Sequence, residues 1–318
     1  NSEKRQITIK KAKDNMCQNC TFAIWEKSDL QKTLNIFSNS RSGHNFIKQN
    51  ILSWFNNKIY INNYENYYPW LHESIHKDLN SNYIINVLII RDYLNWLASY
   101  IPLIKCKIKL DKNNLDENIF MKYINNEINI WMKNTKEFYG ETNYMNDCIK
   151  INYDDFFNNI EYRQKICNSI NGDYNEYQLN KIPINGYYST FDINTFDGKA
   201  QEMKVNERYK NILNTEYHDI YIKILLYNKD ALNLYLKYFN IDNQKKEFIN
   251  SLSDIKLNNN ILSNNLLNSY EKGVYGRLIY LILKQNNKNF SDIYNENNDK
   301  EEWESYQLYK MNKNYDTV

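Results

Sequence analysis

The chain has 318 residues, enough for one large or two modest domains with a sizeable core and no dependence on disulfides. Forty Lys+Arg against 38 Asp+Glu leave a formal charge of only +2, which argues against a protein that coats a polyanion. With 29 Tyr but only 7 Gly and 3 Pro, a glycine between two elements points to a need for its backbone freedom.

The five cysteines, Cys17, Cys20, Cys106, Cys148 and Cys167, are odd in number and irregularly spaced. That is the pattern of ordinary thiols in a reducing, cytoplasmic compartment rather than of a secreted disulfide framework. Cys17-x-x-Cys20 has no second pair and no nearby His, so no metal site is expected. Asn86 to Ile104 is the most apolar stretch, but Arg91, Asp92 and Asn95 interrupt it, and no membrane span is expected. No signal peptide is read at the start; the chain opens at Asn1 without Met, which leaves room for a removed upstream segment. Asn19 and Asn289 head formal glycosylation sequons of the kind that arise by chance in an Asn-rich chain.

In chain order, Leu34 to Phe37 reads as a strand, followed by a polar turn and then Phe46, Ile47, Ile51, Leu52 and Phe55 at helical spacing. Lys58 to Asn62 reads as a second strand. Val87 to Ile90 reads as a third, continuous and apolar enough for a buried parallel position, with a helix marked by Leu94, Leu97, Ala98 and Ile101 after it. A helical insertion spans about Asp111 to Asn146. Cys148 to Tyr153 reads as a fourth strand, with Asp154 and Asp155 placed to cap a helix from Phe156. From about Thr215 the pattern is helical, and from about Gln285 it turns polar and acidic, as in a solvated tail. The fold expected is α/β, a central parallel sheet flanked by helices with a helical insertion and a helical C-terminal region. No linker divides it: residues 1–318 form one domain, with a core of about 34–210 and a helical extension of about 215–318.

Ser38 to Phe46 lies between the first strand and its helix. A strand-loop-helix turn with Gly43 at the bend aims free N–H groups and the positive helix end at one spot, which suits phosphate or sulfate, and Arg41 adds a charged fork. The G-x-x-x-x-G-K-S/T pattern is absent, which disfavours a nucleotide triphosphatase. The plainer alternative is a polar turn with Ser42 capping a helix. Arg91 ends the third strand, and Ser99 follows about two helical turns later on the same face. The loop at Arg41 and the strand end at Arg91 would both lie where parallel sheets bind ligands, at the carboxyl ends of strands, so two anion clamps suggest a ligand with two separated phosphates. The alternative for Arg91 is a salt bridge, and for Ser99 an incidental hydroxyl.

These residues resemble the sulfotransferase family, which transfers sulfate from 3′-phosphoadenosine 5′-phosphosulfate (PAPS). Ser40-Arg41-Ser42-Gly43-His44-Asn45-Phe46 is similar to the family's loop for the 5′-phosphosulfate, and Arg91 with Ser99 to its arginine-serine pair for the 3′-phosphate. Tyr153-Asp154-Asp155 resembles a strand end that is usually structural. Asp197-Gly198-Lys199-Ala200-Gln201-Glu202-Met203, running into Arg208, resembles a segment of bacterial members, and Ser40 and His44-Asn45 also favour that branch over the animal cytosolic one. The resemblance covers about residues 34 to 210 and implies a P-loop-containing sulfotransferase-like fold with PAPS as co-substrate and no metal. It implies cofactor contacts from Ser40, Arg41, Ser42, Gly43, His44, Asn45, Phe46, Arg91, Ser99, Gly198 and Lys199, with Arg41 also neutralising charge in the transfer. The base that takes the acceptor proton would be His72 or Glu65, ranked equal, with His76 next; His44 is placed to contact the sulfate. The acceptor is expected to be a hydroxyl or amine of a small molecule or carbohydrate, with no nucleic-acid partner. Two further readings stand beside this one: a nucleic-acid or polysaccharide binding module built on the many Tyr and Lys, and a P-loop kinase-like enzyme.

Overall fold

The computed structural model describes residues 33–56, 58–65, 84–110, 117–145, 147–181, 196, 198–254 and most of 272–314. The described elements begin with β1 (Thr33–Ser38), α1 (His44–Trp54), β2 (Tyr60–Glu65), β3 (Ile84–Ile90), α2 (Tyr93–Leu110) and α3 (Glu117–Tyr139). They continue with β4 (Ile149–Asn152), α4 (Tyr153–Asn158) and α5 (Ile160–Ser169). After two 3-10 turns at Ala200–Glu202 and Val205–Glu207 come α6 (Arg208–Ile212), α7 (His218–Tyr227), α8 (Lys229–Tyr238), α9 (Asn243–Ser251) and α10 (Lys300–Asn314). No helix among the described residues is long and apolar enough to cross a membrane.

The four strands form one parallel sheet in the order β2-β1-β3-β4, so the expected α/β layout with helices on the sheet is observed. β1 and β3 occupy the centre because their side chains are apolar on both faces. Leu34, Ile36, Val87, Ile89 and Ile151 pack with α1, α4 and α5, while Phe37, Leu88 and Tyr64 pack with Met145 and with Phe138 of α3. The second face also carries an amide ladder. Asn35 lies in register with Asn62 and Asn86; Asn62 Nδ2 donates to Asn35 Oδ1 (2.9 Å), and Asn35 Nδ2 donates to Asn86 Oδ1 (3.1 Å). The buried amides of Asn35 and Asn86 and the half-buried one of Asn62 thus satisfy one another across adjacent strands. α2, α3 and the helices after Thr215 share a separate and larger apolar cluster.

Three expectations shift. β2 starts two residues and ends three residues later than the Lys58–Asn62 reading, because pairing to β1 extends through Glu65 opposite Ser38 and overrides the apolar signal of Ile59. α4 starts at Tyr153, capped by Asn152, whose Oδ1 accepts from the Asp154 N–H (3.0 Å); Asp154 and Asp155 sit inside the first turn, where the helix dipole favours acids. The polar stretch after Gln285 includes helix α10 and packs through a few large rings: Phe290 is buried against Tyr294, Trp303 and Tyr306.

Candidate functional site

In the order β2-β1-β3-β4, the chain leaves β1 in one direction for β2 and resumes on the other side with β3. The carboxyl ends of β1 and β3 therefore flank the topological switch point, the crevice where open α/β sheets bind ligands. The residue after each strand end carries the chemistry: the 39–43 loop follows Ser38, and Arg91 follows Ile90.

The loop is held rigidly from beneath. Ser42 N–H donates to Asn39 O (3.2 Å), Trp96 Nε1 to Ser40 O (2.8 Å), Asn134 Nδ2 to Asn39 Oδ1 (2.8 Å), and Arg91 Nη1 to Arg41 O (2.9 Å). These bonds stabilise two left-handed residues, Arg41 at φ 70° and Gly43 at φ 81°. The first costs about 1–2 kcal/mol for an L-residue and persists because its surroundings fix it. At Gly43 a Cβ would stand 1.9 Å from Tyr153 Cδ2, so only glycine fits. No side chain caps α1 and its first turn holds no acid, leaving the positive end of an eleven-residue helix facing the switch point. Ser42 does not cap it; its hydroxyl is buried without a hydrogen-bond partner.

Arg91 is 6% exposed and tied to three parts of the chain: Nη1 to Arg41 O and to Ser99 Oγ (3.3 Å), Nη2 to Val205 O (3.1 Å). The expected pairing with Ser99 is thus observed across two turns of α2. The guanidinium lies 4.9 Å from the Tyr153 ring centre, and the same ring closes under Gly43, so Tyr153 is wedged between loop and arginine. Arg91 Nε is buried and unpartnered. The Arg91 pKa is pushed down chiefly by burial, with Arg208 and Arg41 adding to the effect and Tyr153 and Asp154 opposing it.

Beside Arg91 lies a buried hub. Asp92 Oδ2 meets Lys245 Nζ (2.8 Å) and the Tyr235 hydroxyl, and Oδ1 accepts from Asn95 N and Nδ2 (3.0 Å each). Asn95 Oδ1 in turn accepts from Tyr209 N (3.2 Å), and the Asp92 N–H donates to Asp154 Oδ2 (2.8 Å). Burial and then the Asp92 charge push the Asp154 carboxyl up to about 6, against the pull of Arg91 and Lys245; its Oδ1 is unpartnered. The hub fastens α6, α8 and α9 to the residue that follows Arg91.

Of the residues expected from sequence, Ser40, Arg41, Ser42, Gly43, His44, Asn45, Phe46, Arg91 and Ser99 gather at this one edge. His44 is turned inward: Nε2 is 3.0 Å from Asn63 Oδ1 and Nδ1 is 2.8 Å from Ser38 Oγ. An amide oxygen only accepts, so Nε2 donates to Asn63 Oδ1, and Nδ1 shares a hydrogen bond with the Ser38 hydroxyl. The Phe46 ring packs edge-on to Tyr153 and Phe156 in the core, leaving its backbone N–H to the helix start. Gly198 and Lys199 are exposed, and the Lys199 ammonium faces Glu202 (3.8 Å) at the surface. Glu65 ends β2 in register with Ser38, at the same sheet edge as the loop. His72 and His76 lie outside the described residues, as do Cys17, Cys20 and Asp197. In the sequence, Tyr153 and Arg208 stand out only within resembling segments and Trp96 has no assigned role; Tyr153 and Trp96 both touch the loop, and Arg208 is buried at the start of α6.

Among the described residues no group of three or more His, Cys, Asp or Glu could hold a metal ion. Burial pushes the Cys148 thiol up to about 12 and the Cys167 thiol up to about 11, so neither is a ready nucleophile. Compared with protein families, with curated proteins and with solved structures, the chain matches none.

Proposed function

We propose that the protein is a sulfotransferase of P-loop-like fold that moves a sulfuryl group from PAPS to a hydroxyl or amine of a small-molecule or carbohydrate acceptor. The observation that carries this reading is the meeting, at one switch point, of an uncapped helix N-terminus behind a glycine-led loop and a buried arginine bonded to a serine two turns away. The pair of clamps suits a nucleotide with an anion at each end of its sugar. The α1 N–H groups and Arg41 would take the 5′ end, and Arg91 with Ser99 the 3′-phosphate.

In sulfuryl transfer the acceptor oxygen bonds to sulfur as the bridging bond to the 5′-phosphate breaks, and charge builds on the departing phosphate oxygen. Like phosphoryl transfer, the reaction needs positioning and neutralisation more than covalent help. The loop amides and Arg41 would supply that, in a loop held by hydrogen bonds from Trp96, Asn134 and Arg91. The acceptor proton goes to a base, with Glu65 and His72 the candidates; the register of Glu65 beside Ser38 supports the former.

Thermal-shift measurements with adenosine 3′,5′-bisphosphate, ATP and a single-stranded oligonucleotide test the proposal. The bisphosphate at a hundredfold excess over its Kd is expected to stabilise by about 2.7 kcal/mol, with little effect from the others. Equal shifts from ATP, or a shift from the oligonucleotide alone, would refute it.

A further inference from the structure

His44 is the first residue of α1 and is 3% exposed, so an imidazole is built into the helix end that would receive the anion. Its two nitrogens have unlike partners. The Nε2–H donates to Asn63 Oδ1 (3.0 Å), an oxygen that only accepts, so this proton stays on the ring in either charge state. Nδ1 lies 2.8 Å from Ser38 Oγ, and a hydroxyl can both donate and accept. Ser38 therefore donates to a neutral ring and accepts from an imidazolium, and a second proton can enter at Nδ1 without displacing a heavy atom. The strand register builds this chain: Leu34 and Ile36 face α1, Ser38 continues their alternation, and Asn63 pairs with Ile36.

The charge state of the ring follows from what surrounds it. Burial favours the neutral imidazole, and so does the positive end of α1, which has no side-chain cap and no acid in its first turn. Arg41 in the preceding loop, Arg91 bonded to the Arg41 carbonyl, and Lys48 one turn along α1 act in the same sense. On β1 and β2 the one acid is Glu65, paired with Ser38. The helix α4, which meets α1 through Phe46, brings Tyr153, Asp154 and Asp155, and Asp154 is bonded to the Asp92 N–H. A doubly charged anion at the helix start reverses the balance and favours the imidazolium. The Ser42 hydroxyl, fully buried and without a hydrogen-bond partner just before Gly43, leaves such an anion a further donor. We propose that His44 makes anion binding proton-linked: as a sulfate or phosphate dianion docks at the start of α1, Nδ1 takes one proton from solvent and the Ser38 hydroxyl turns from donor to acceptor. The new N–H bond leaves a cationic ring that neutralises one of the ligand's charges, and Asn63 is the positioning residue that keeps Nε2 protonated throughout. The linkage rests on the anion site of the sulfotransferase reading and not on the nucleotide or the acceptor.

Titration calorimetry of the full chain with sodium sulfate, an anion that gains no proton near neutral pH, tests this in buffers of differing ionisation enthalpy. Uptake of about 0.5–0.8 proton per sulfate at pH 7 is expected, with binding about tenfold weaker at pH 8 than at pH 6, the behaviour of a histidine carried across neutrality. His44→Gln keeps an amide N–H for Asn63 without a titrating nitrogen, so its uptake should fall below about 0.2 proton and its affinity should lose most of the pH dependence. Uptake equal to wild type in this variant overturns the linkage, as does wild type that binds sulfate without uptake or binds none. Should His44→Gln not fold, Asn63→Asp decides: Asn63 is exposed, and a carboxylate there holds the ring protonated beforehand, so uptake should drop by about half or more. Unchanged uptake again overturns the linkage. Adenosine 3′,5′-bisphosphate and ATP separate the two readings. No preference for the bisphosphate removes the sulfotransferase while uptake with sulfate stands; a preference for it beside sulfate binding without uptake keeps the sulfotransferase and removes the linkage.

Discussion

Replacing Gly43 by alanine tests the loop geometry most directly, because two costs can be separated within the same chain. Gly43 and Gly140 share a φ of 81°, so alanine at either position meets the same left-handed penalty, about 1–2 kcal/mol. Their surroundings differ. A Cβ at Gly140 meets nothing within 4 Å, whereas at Gly43 it stands 1.9, 2.2 and 2.7 Å from Cδ2, Cε2 and Cγ of Tyr153. Carbon atoms rest at about 3.5–4.0 Å, so the ring must retreat by well over 1 Å. It has little room to do so, with the Arg91 guanidinium 4.9 Å from its centre and Phe46 against its edge. Overpacking of this kind adds about 1–3 kcal/mol. Urea denaturation should therefore show Gly43→Ala costing about 2–5 kcal/mol and Gly140→Ala about 1–2 kcal/mol. In a Tyr153→Ala background, which removes all three clashing atoms, the cost at Gly43 should drop to the Gly140 value. Equal costs for the two single variants, or a Gly43 cost untouched by removing the ring, would refute the wedge.

Lys245→Met leaves the Asp92 carboxylate buried without its cation and should destabilise by about 3–5 kcal/mol in urea; Asp92→Asn in the same chain should recover part of this loss, and strict additivity would count against the hub. Asp154, with its carboxyl raised to about 6 in the fold against about 3.9 in an unfolded chain, makes a contribution that is fully present below about pH 4 and lost as pH rises through 6. Asp154→Asn should accordingly match wild type near pH 4 and exceed it by about 2–3 kcal/mol at pH 7; parallel stability-pH curves would contradict this. For the base, Glu65→Gln or His72→Ala, whichever removes it, should lower turnover on a hydroxyl acceptor by on the order of 10²–10⁴ with bisphosphate affinity unchanged; full activity in both would move the base elsewhere.

What could be read from the sequence was local. The loop from Ser40 to Phe46 and the Arg91–Ser99 pair follow from helix arithmetic and a single glycine, and their hydrogen bond is observed. The sheet was legible because the Val87–Ile90 run is apolar enough to demand burial on both faces. The strand edges were not, since polar Asn63 and Glu65 pair by backbone whatever their side chains prefer. Contacts across great sequence distance left no signature: Arg91 meets Val205 114 positions on, and Asp92 meets Lys245 153 positions on. The order at the far end of the chain was hidden for another reason. Averaged polarity conceals three or four large rings, and Phe290, Trp303 and Tyr306 suffice to anchor an otherwise charged stretch.

Those long separations bear on how the protein is made. During synthesis the first three strands and the glycine loop emerge early, but Arg91 waits for the carbonyl of Val205, and Asp92 waits for Tyr235 and Lys245. A ribosome must therefore deliver roughly three quarters of the chain before Arg91 and Asp92, near its beginning, have all their supports. Until then Arg91 and Asp92 lack these partners, and a chain cut short before residue 205 would carry the glycine loop without the carbonyl that helps hold Arg91 in place.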